Sequence, residues 1–245
     1  MTVPNQLSNT PVSLPDSLED AIEQAINAIA AGLDAGISHL SIDLRFQELK
    51  TLAVAEFFAR YFAQRYGANW SAIFADAGAA ALAQRDWVDL PMNARRINEG
   101  RAAIRPEDQA VLLISPTSME VEPVEKLLEL AGDRPVVLLN PRLENAEVGV
   151  GLAARRMRER FVNRFTVAYY LQPLPLGAVW RCYPQGWQVW QQLPDGAGDV
   201  RMQCVAETDQ RPSGDDVDRL FRRNSGQGTS SLLDKLQQFI SALAR

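Results

Sequence analysis

Three short polar tips, each directly after an apolar run, hold the residue types best able to do chemistry. They are Asp76-Ala77-Gly78 after Trp70–Phe74, Ser115-Pro116-Thr117-Ser118 after Ala110–Ile114, and Asn140-Pro141-Arg142 after Pro135–Leu139. If the runs are strands of one open sheet, the tips lie at carboxyl ends, where such sheets bind ligands. Asp76, Ser115, Asn140 and Arg142 would then bring a carboxylate, a hydroxyl, a carboxamide and a guanidinium to one crevice. That set suits a nucleotide or a phosphorylated metabolite. Singly, Asp76, Ser115 and Asn140 also fit the plainer role of helix cap or turn residue. Both readings stand at this point.

The densest charge is Arg155-Arg156-Met157-Arg158-Glu159-Arg160. On a helix Arg156 and Arg160 share a face, while Arg155 can pair with Glu159. Arg142 and Arg164 flank the run and complete a basic patch fit for an anionic ligand, an acidic partner or lipid headgroups. A solvated helix face explains such runs equally simply. Arg85-Asp86-Trp87 reads as a buried ion pair bracing a loop under the tryptophan, or as a surface anchor, since Trp and Arg are enriched at binding hot spots. Tyr169 and Tyr170 are adjacent in a strand and must point to opposite faces. One belongs to the core and the other, Tyr170, is a candidate to address a site. On the next strand Arg181 and Tyr183 share a face.

Other chemistries find no foothold. The single histidine, His39, opens a strand with no nucleophile beside it, and GxSxG, HExxH and Cys/His metal spacings are absent. Gly149-Val150-Gly151-Leu152-Ala153-Ala154 is a weak echo of a dinucleotide turn, and no P-loop occurs. No cofactor, metal or catalytic residue is therefore assigned. Cys182 and Cys204 lack CxxC spacing and sit in apolar surroundings, as buried free thiols do. A net charge of −5 argues against nucleic acid as a partner. Only three of 25 basic residues are lysine, a skew that genomic composition explains more simply than anion recognition. No run is long and apolar enough to span a bilayer, and the first residues lack the pattern of a signal peptide. A cytoplasmic protein is expected, with at most peripheral attachment to a membrane.

The elements that must position these groups follow from periodicity. Asp16 or Ser17 caps a helix whose Leu18, Ile22, Ala25, Ile26, Ile29 and Leu33 share a face, and Gly36 closes it. His39–Leu44 alternates as a half-buried strand. A long helix is expected over Gln47–Tyr66, an alanine-rich one through Ala83, and others over Glu120–Leu130 and 149–161. The runs Ala110–Ile114 and Pro135–Leu139 read as strands buried on both faces. Strand alternating with helix predicts an α/β fold with an open, mostly parallel twisted sheet flanked by helices. After Arg164 the pattern changes to Phe165–Gln172, Ala178–Tyr183, Trp187–Gln192 and Arg201–Glu207, strands joined by Pro/Gly turns. They predict an antiparallel β extension in the C-terminal half. The organisation reads as a disordered leader over 1–15 and a single α/β domain over 16–210. A polar linker and an amphipathic helix, Ser230–Leu243, then occupy 211–245.

Five stretches, IFADAGAAALAQRDW, DRPVVLLNPRLE, VGVGLAARRMRERF, YYLQPLP and RCYPQGWQVW, with the opening LPDSLEDAIEQAINA, resemble one known family. It is the family called domain of unknown function 1995, of cyanobacteria and chloroplasts, and the resemblance covers roughly residues 14–192. It implies two different functions: one chloroplast member is a photosystem II assembly factor, and another carries this domain attached to an adenylate kinase. No catalytic residues are carried over. The expectation is a non-enzymatic assembly factor at the cytoplasmic face of the thylakoid, its partner a photosystem II core subunit or assembly intermediate. A small-molecule module or enzyme on nucleotides or phosphorylated metabolites is the alternative.

Overall fold

Ser17 starts the first helix, α1 (Leu18–Asp34): its side chain accepts the Asp20 N–H at 3.0 Å, with Glu19 and Asp20 in the first turn where the helix dipole favours acid. Gly36 takes a φ of +81° just beyond the end, a conformation that L side chains resist. These features belong to a computed structural model that describes residues 13–143, 161–194 and 199–224. The arginine cluster with Arg156 and Arg160, the expected helix over 149–161, the helix Ser230–Leu243 and most of the expected leader lie outside the described residues.

The parallel half alternates as anticipated: β1 (His39–Leu44), α2 (Thr51–Tyr66), β2 (Trp70–Phe74), α3 (Ala77–Asp86), β3 (Asn93–Arg96), β4 (Ala110–Ile114), α4 (Val121–Ala131) and β5 (Val136–Leu139). The antiparallel half is β6 (Thr166–Leu174), β7 (Gly177–Cys182), β8 (Trp187–Pro194) and β9 (Val200–Thr208), followed by helix α5 (Gly214–Asn224). All nine strands form one open sheet in the order β3-β2-β4-β5-β1-β6-β7-β8-β9. Pairing is parallel from β3 through β6 and antiparallel from β6 through β9.

Strand alternation sorts side chains to two faces, each covered by helices. Leu40, Ile42, Trp70, Phe74, Leu112 and Leu139 face α1, α2 and α3. Ile73, Val111, Leu113, Val136 and Leu138 face α4 and the turn around Ile97 and Ile104, joined there by Leu143, Phe161 and Phe165. Farther along that second face, α5 buries Val217 and Phe221 against Tyr170, Val179, Trp187 and Val189. Gly177 allows β7 and β8 to close: a Cβ there would stand 1.9 Å from the Trp190 carbonyl oxygen.

Several expectations shift. β1 is not half-buried, because β5 and β6 enclose it and both faces are covered; only His39 is partly open. The second helix begins at Thr51 rather than Gln47. The alanine-rich helix runs on to Asp86, capped by Asp76 and closed at Trp87. β3 escaped the sequence reading altogether, since NARR has a single apolar residue, as an edge strand can.

Candidate functional site

The order of strands creates two crevices before any side chain is considered. α2 leaves β1 toward the α1 face, but the chain after β5 packs Leu143, Phe161 and Phe165 on the opposite face. Likewise α3 leaves β2 toward the α1 face and α4 leaves β4 toward the other. Neighbouring strands whose successors diverge in this way open a gap at their carboxyl ends, the usual ligand position in such sheets. Over β2 and β4 the gap is a cleft of about 400 Å3. Over β5 and β1 it is a depression of about 150 Å3, and the two share Thr51 and Arg142.

The three polar tips behave differently. Asp76 lines the larger cleft but also caps α3, its Oδ1 accepting the Ala79 N–H at 2.7 Å. Ser115 ends β4 with a φ of +51° and donates its N–H to Leu139 O at 2.8 Å. Its hydroxyl oxygen is buried at the cleft and has no hydrogen-bond partner among the described residues. Thr117 and Glu120 hold each other in a capping box: Glu120 Oε2 accepts the Thr117 N–H at 2.8 Å and the Thr117 hydroxyl at 2.5 Å. Next to them Met119 is 85% exposed at the cleft rim.

Asn140 also has a left-handed φ, +46°, yet its side chain is engaged through both its oxygen and its nitrogen. Its carbonyl oxygen accepts the Leu44 N–H at 2.9 Å and its amide donates to Leu44 O at 3.3 Å. It stitches the end of β5 to the end of β1, and so belongs to the frame of the site. Arg142 donates its backbone N–H to Pro116 O at 2.8 Å, which fixes it between the two crevices. Its side chain is exposed and forms no ion pair among the described residues.

Of the other expected site residues that the structure describes, none joins this cleft. Arg85 and Asp86 do form a pair, at 2.6 Å, but in the open, with side chains 71% and 46% exposed. The hydrogen bonds from Arg85 hold the Asp86 carboxyl below its ordinary pKa. Trp87 is no surface anchor; it is buried against Phe74 with ring centroids 5.9 Å apart. Tyr169 and Tyr170 are both buried, because α1 covers one face of β6 and α5 helps cover the other. Tyr170 packs edge-on against Trp187 at 5.1 Å, while the Arg211 guanidinium stacks 4.4 Å from its ring and donates to its hydroxyl at 2.5 Å. Arg181 lies 5.5 Å over the Trp187 ring, and burial lowers its pKa. Cross-strand register sets Asp43, Tyr170, Arg181 and Trp187 in one row. Tyr183 packs partly buried against the α1-side core instead. Cys182 is buried with its thiol pushed up to about 12, whereas Cys204 on β9 is exposed rather than buried.

Sequence reasoning missed part of the cleft's lining. Thr51 and Leu52 come from the start of α2, and Met119 from a turn. The Thr117-x-x-Glu120 spacing was readable as a capping box. Nothing in the sequence says that α2 begins at the rim. Among the described residues no three His, Cys, Asp or Glu side chains gather as a metal ligand set, and no helix is long and apolar enough to cross a membrane.

A family model described as Domain of unknown function (DUF1995) matches residues 15–219. The chain belongs to that family. The match runs beyond the motifs that suggest it, through β9 and into α5. It therefore takes in both crevices and the antiparallel extension.

Proposed function

We propose that the protein is a non-enzymatic assembly factor for photosystem II, acting at the cytoplasmic face of the thylakoid and attached there only peripherally. The observation that carries this reading is the joint recurrence of six family stretches in one chain whose family match covers residues 15–219. A chloroplast member of the family, Low PSII Accumulation 3, helps a chlorophyll-binding core antenna subunit reach the complex. The joined crevices at the strand ends, with Arg142 between them and Met119 on the rim, offer a surface for transient contact with such a subunit. Crosslinking pulldown from thylakoid membranes of a photosynthetic host should recover a photosystem II core subunit, and a deletion strain should accumulate less of the complex. Normal accumulation together with no co-purifying subunit defeats the reading.

A second reading is supported by one specific observation. The Ser115 hydroxyl is buried at the cleft, partnerless among the described residues, on a residue held in a left-handed conformation. Strain and an unmet hydrogen bond at one position are typical of ligand sites. On this reading the cleft is a small-molecule module. Thermal-shift screening of small metabolites tests it, and uniformly flat responses count against it.

A further inference from the structure

We infer that the cleft over β2 and β4 takes a small monocarboxylate with an apolar body, its charge held by Arg142 and Ser115. The inference rests on the small-molecule reading and names the ligand class.

The cleft has the volume of a small-molecule site, about 400 Å3, and its accessible apolar lining comes from Leu52, Ala79, Ile114 and Met119. An alkyl or ring body of a few carbons would be sheltered there. Arg142 and Ser115 can meet a polar head. Arg142 is a permanent cation with no ion pair among the described residues, and a planar fork suits it to a carboxylate. The Ser115 hydroxyl can donate to the same head, a charge-assisted bond that would end its isolation.

The other charges of the lining narrow the head further. Asp76 and Glu120 are both in the wall. Their carboxylates accept peptide N–H groups of Ala79 and Thr117, so neither is available to be displaced cheaply. One guanidinium therefore stands among two carboxylates. A triphosphate or diphosphate would bring several negative charges against both acids with a single cation to offset them. One negative charge, seated at Arg142, avoids that conflict. The cleft thus disfavours the nucleotides and multiply phosphorylated metabolites that the polar tips suggest by composition alone.

The test uses the full chain and four probes: octanoate, octylamine, inorganic phosphate and ATP, read by isothermal titration and by thermal shift. Octanoate is expected to bind and to raise the melting temperature, and the other three to leave it flat. Arg142→Gln should weaken octanoate at least tenfold without moving the melting temperature of the free protein, because that side chain is exposed and forms no ion pair among the described residues. Arg142→Lys should retain part of the binding. Octanoate affinity unchanged in Arg142→Gln overturns the inference. If octylamine, phosphate or ATP binds and octanoate does not, the carboxylate assignment falls while a small-molecule site survives. Silence from all four probes overturns the assignment, and the metabolite screen then decides the wider reading separately.

Discussion

Replacing Ser115 by glycine should stabilise the protein, an unusual expectation for a residue proposed to bind. Its φ of +51° costs a residue bearing a Cβ about 1–2 kcal/mol relative to right-handed backbone. Glycine enters that region freely, but its unfolded chain is freer too, which returns roughly 0.5–1 kcal/mol to the unfolded side. The substitution also deletes a buried hydroxyl without a partner, a defect worth about 1–3 kcal/mol where no water reaches it. A net gain of about 1–2 kcal/mol is a cautious total. For a chain of 245 residues it corresponds to a rise in melting temperature of roughly 2–8 °C. Urea titration should show a higher midpoint with unchanged slope. Ser115→Ala removes the hydroxyl but keeps the strained backbone, so it should gain less than glycine. A lower midpoint for Ser115→Gly would refute the reasoning, since it would mean that the hydroxyl supports the fold. The same variant should bind octanoate more weakly, and opposite signs for stability and affinity would mark a residue retained for the ligand.

Other perturbations address the frame. Asn140→Ala should destabilise by roughly 2–4 kcal/mol, because it leaves the Leu44 N–H and carbonyl unmet and keeps the left-handed φ; denaturant midpoints check it. Gly177→Ala should cost about 3 kcal/mol or more, since its methyl would meet the Trp190 carbonyl oxygen and neither strand backbone can yield; near-wild-type stability would contradict the tight β7–β8 contact. His39 has its pKa lowered first by burial and then by Arg164, so the folded state binds fewer protons than the unfolded state near and below the ordinary histidine value. Stability contributed by neutral His39 is thus present above pH 6.5 and is lost as pH falls through that value toward the lower folded pKa. Comparing wild type with His39→Phe, which keeps a ring beside Phe165, should show a flatter acid limb for the variant. With a thiol reagent near neutral pH, Cys204 should react in the native protein and Cys182 only after unfolding, because the latter is buried with a strongly raised pKa.

Much of the frame is readable from the chain. The runs His39–Leu44, Trp70–Phe74 and Ala110–Ile114 became strands with the same bounds, the first from its alternation and the other two from short apolar runs between turn residues. The switch from helix alternation to hairpins after Arg164 likewise gave the parallel-to-antiparallel change. What periodicity could not supply was strand order. Only the placement of β1 between β5 and β6 shows that its polar Ser41 and Asp43 lie inside, and that α2 starts at a crevice. Burial of both Tyr169 and Tyr170 was invisible for the same reason: a strand's second face is covered or open according to distant segments, here α5. Trp87 was legible as important but not as internal. Its role depends on Phe74, thirteen residues earlier, meeting it under α3.

Ser115 and Asn140 show how frame and site can be told apart. They end neighbouring parallel strands at the same edge of the sheet, and both take a left-handed φ. In each, the backbone N–H reaches the adjacent strand, Ser115 to Leu139 O and Asn140 to Ile42 O. Beyond that point they differ. Asn140 offsets its conformational cost with two side-chain bonds to Leu44, and asparagine is the residue type that tolerates this region best. Ser115 gains nothing comparable from its hydroxyl within the described fold. A conformational cost met by internal bonds needs no ligand to explain it. One left unmet, at the wall of a cleft that Arg142 also lines, is what the proposed ligand would complete.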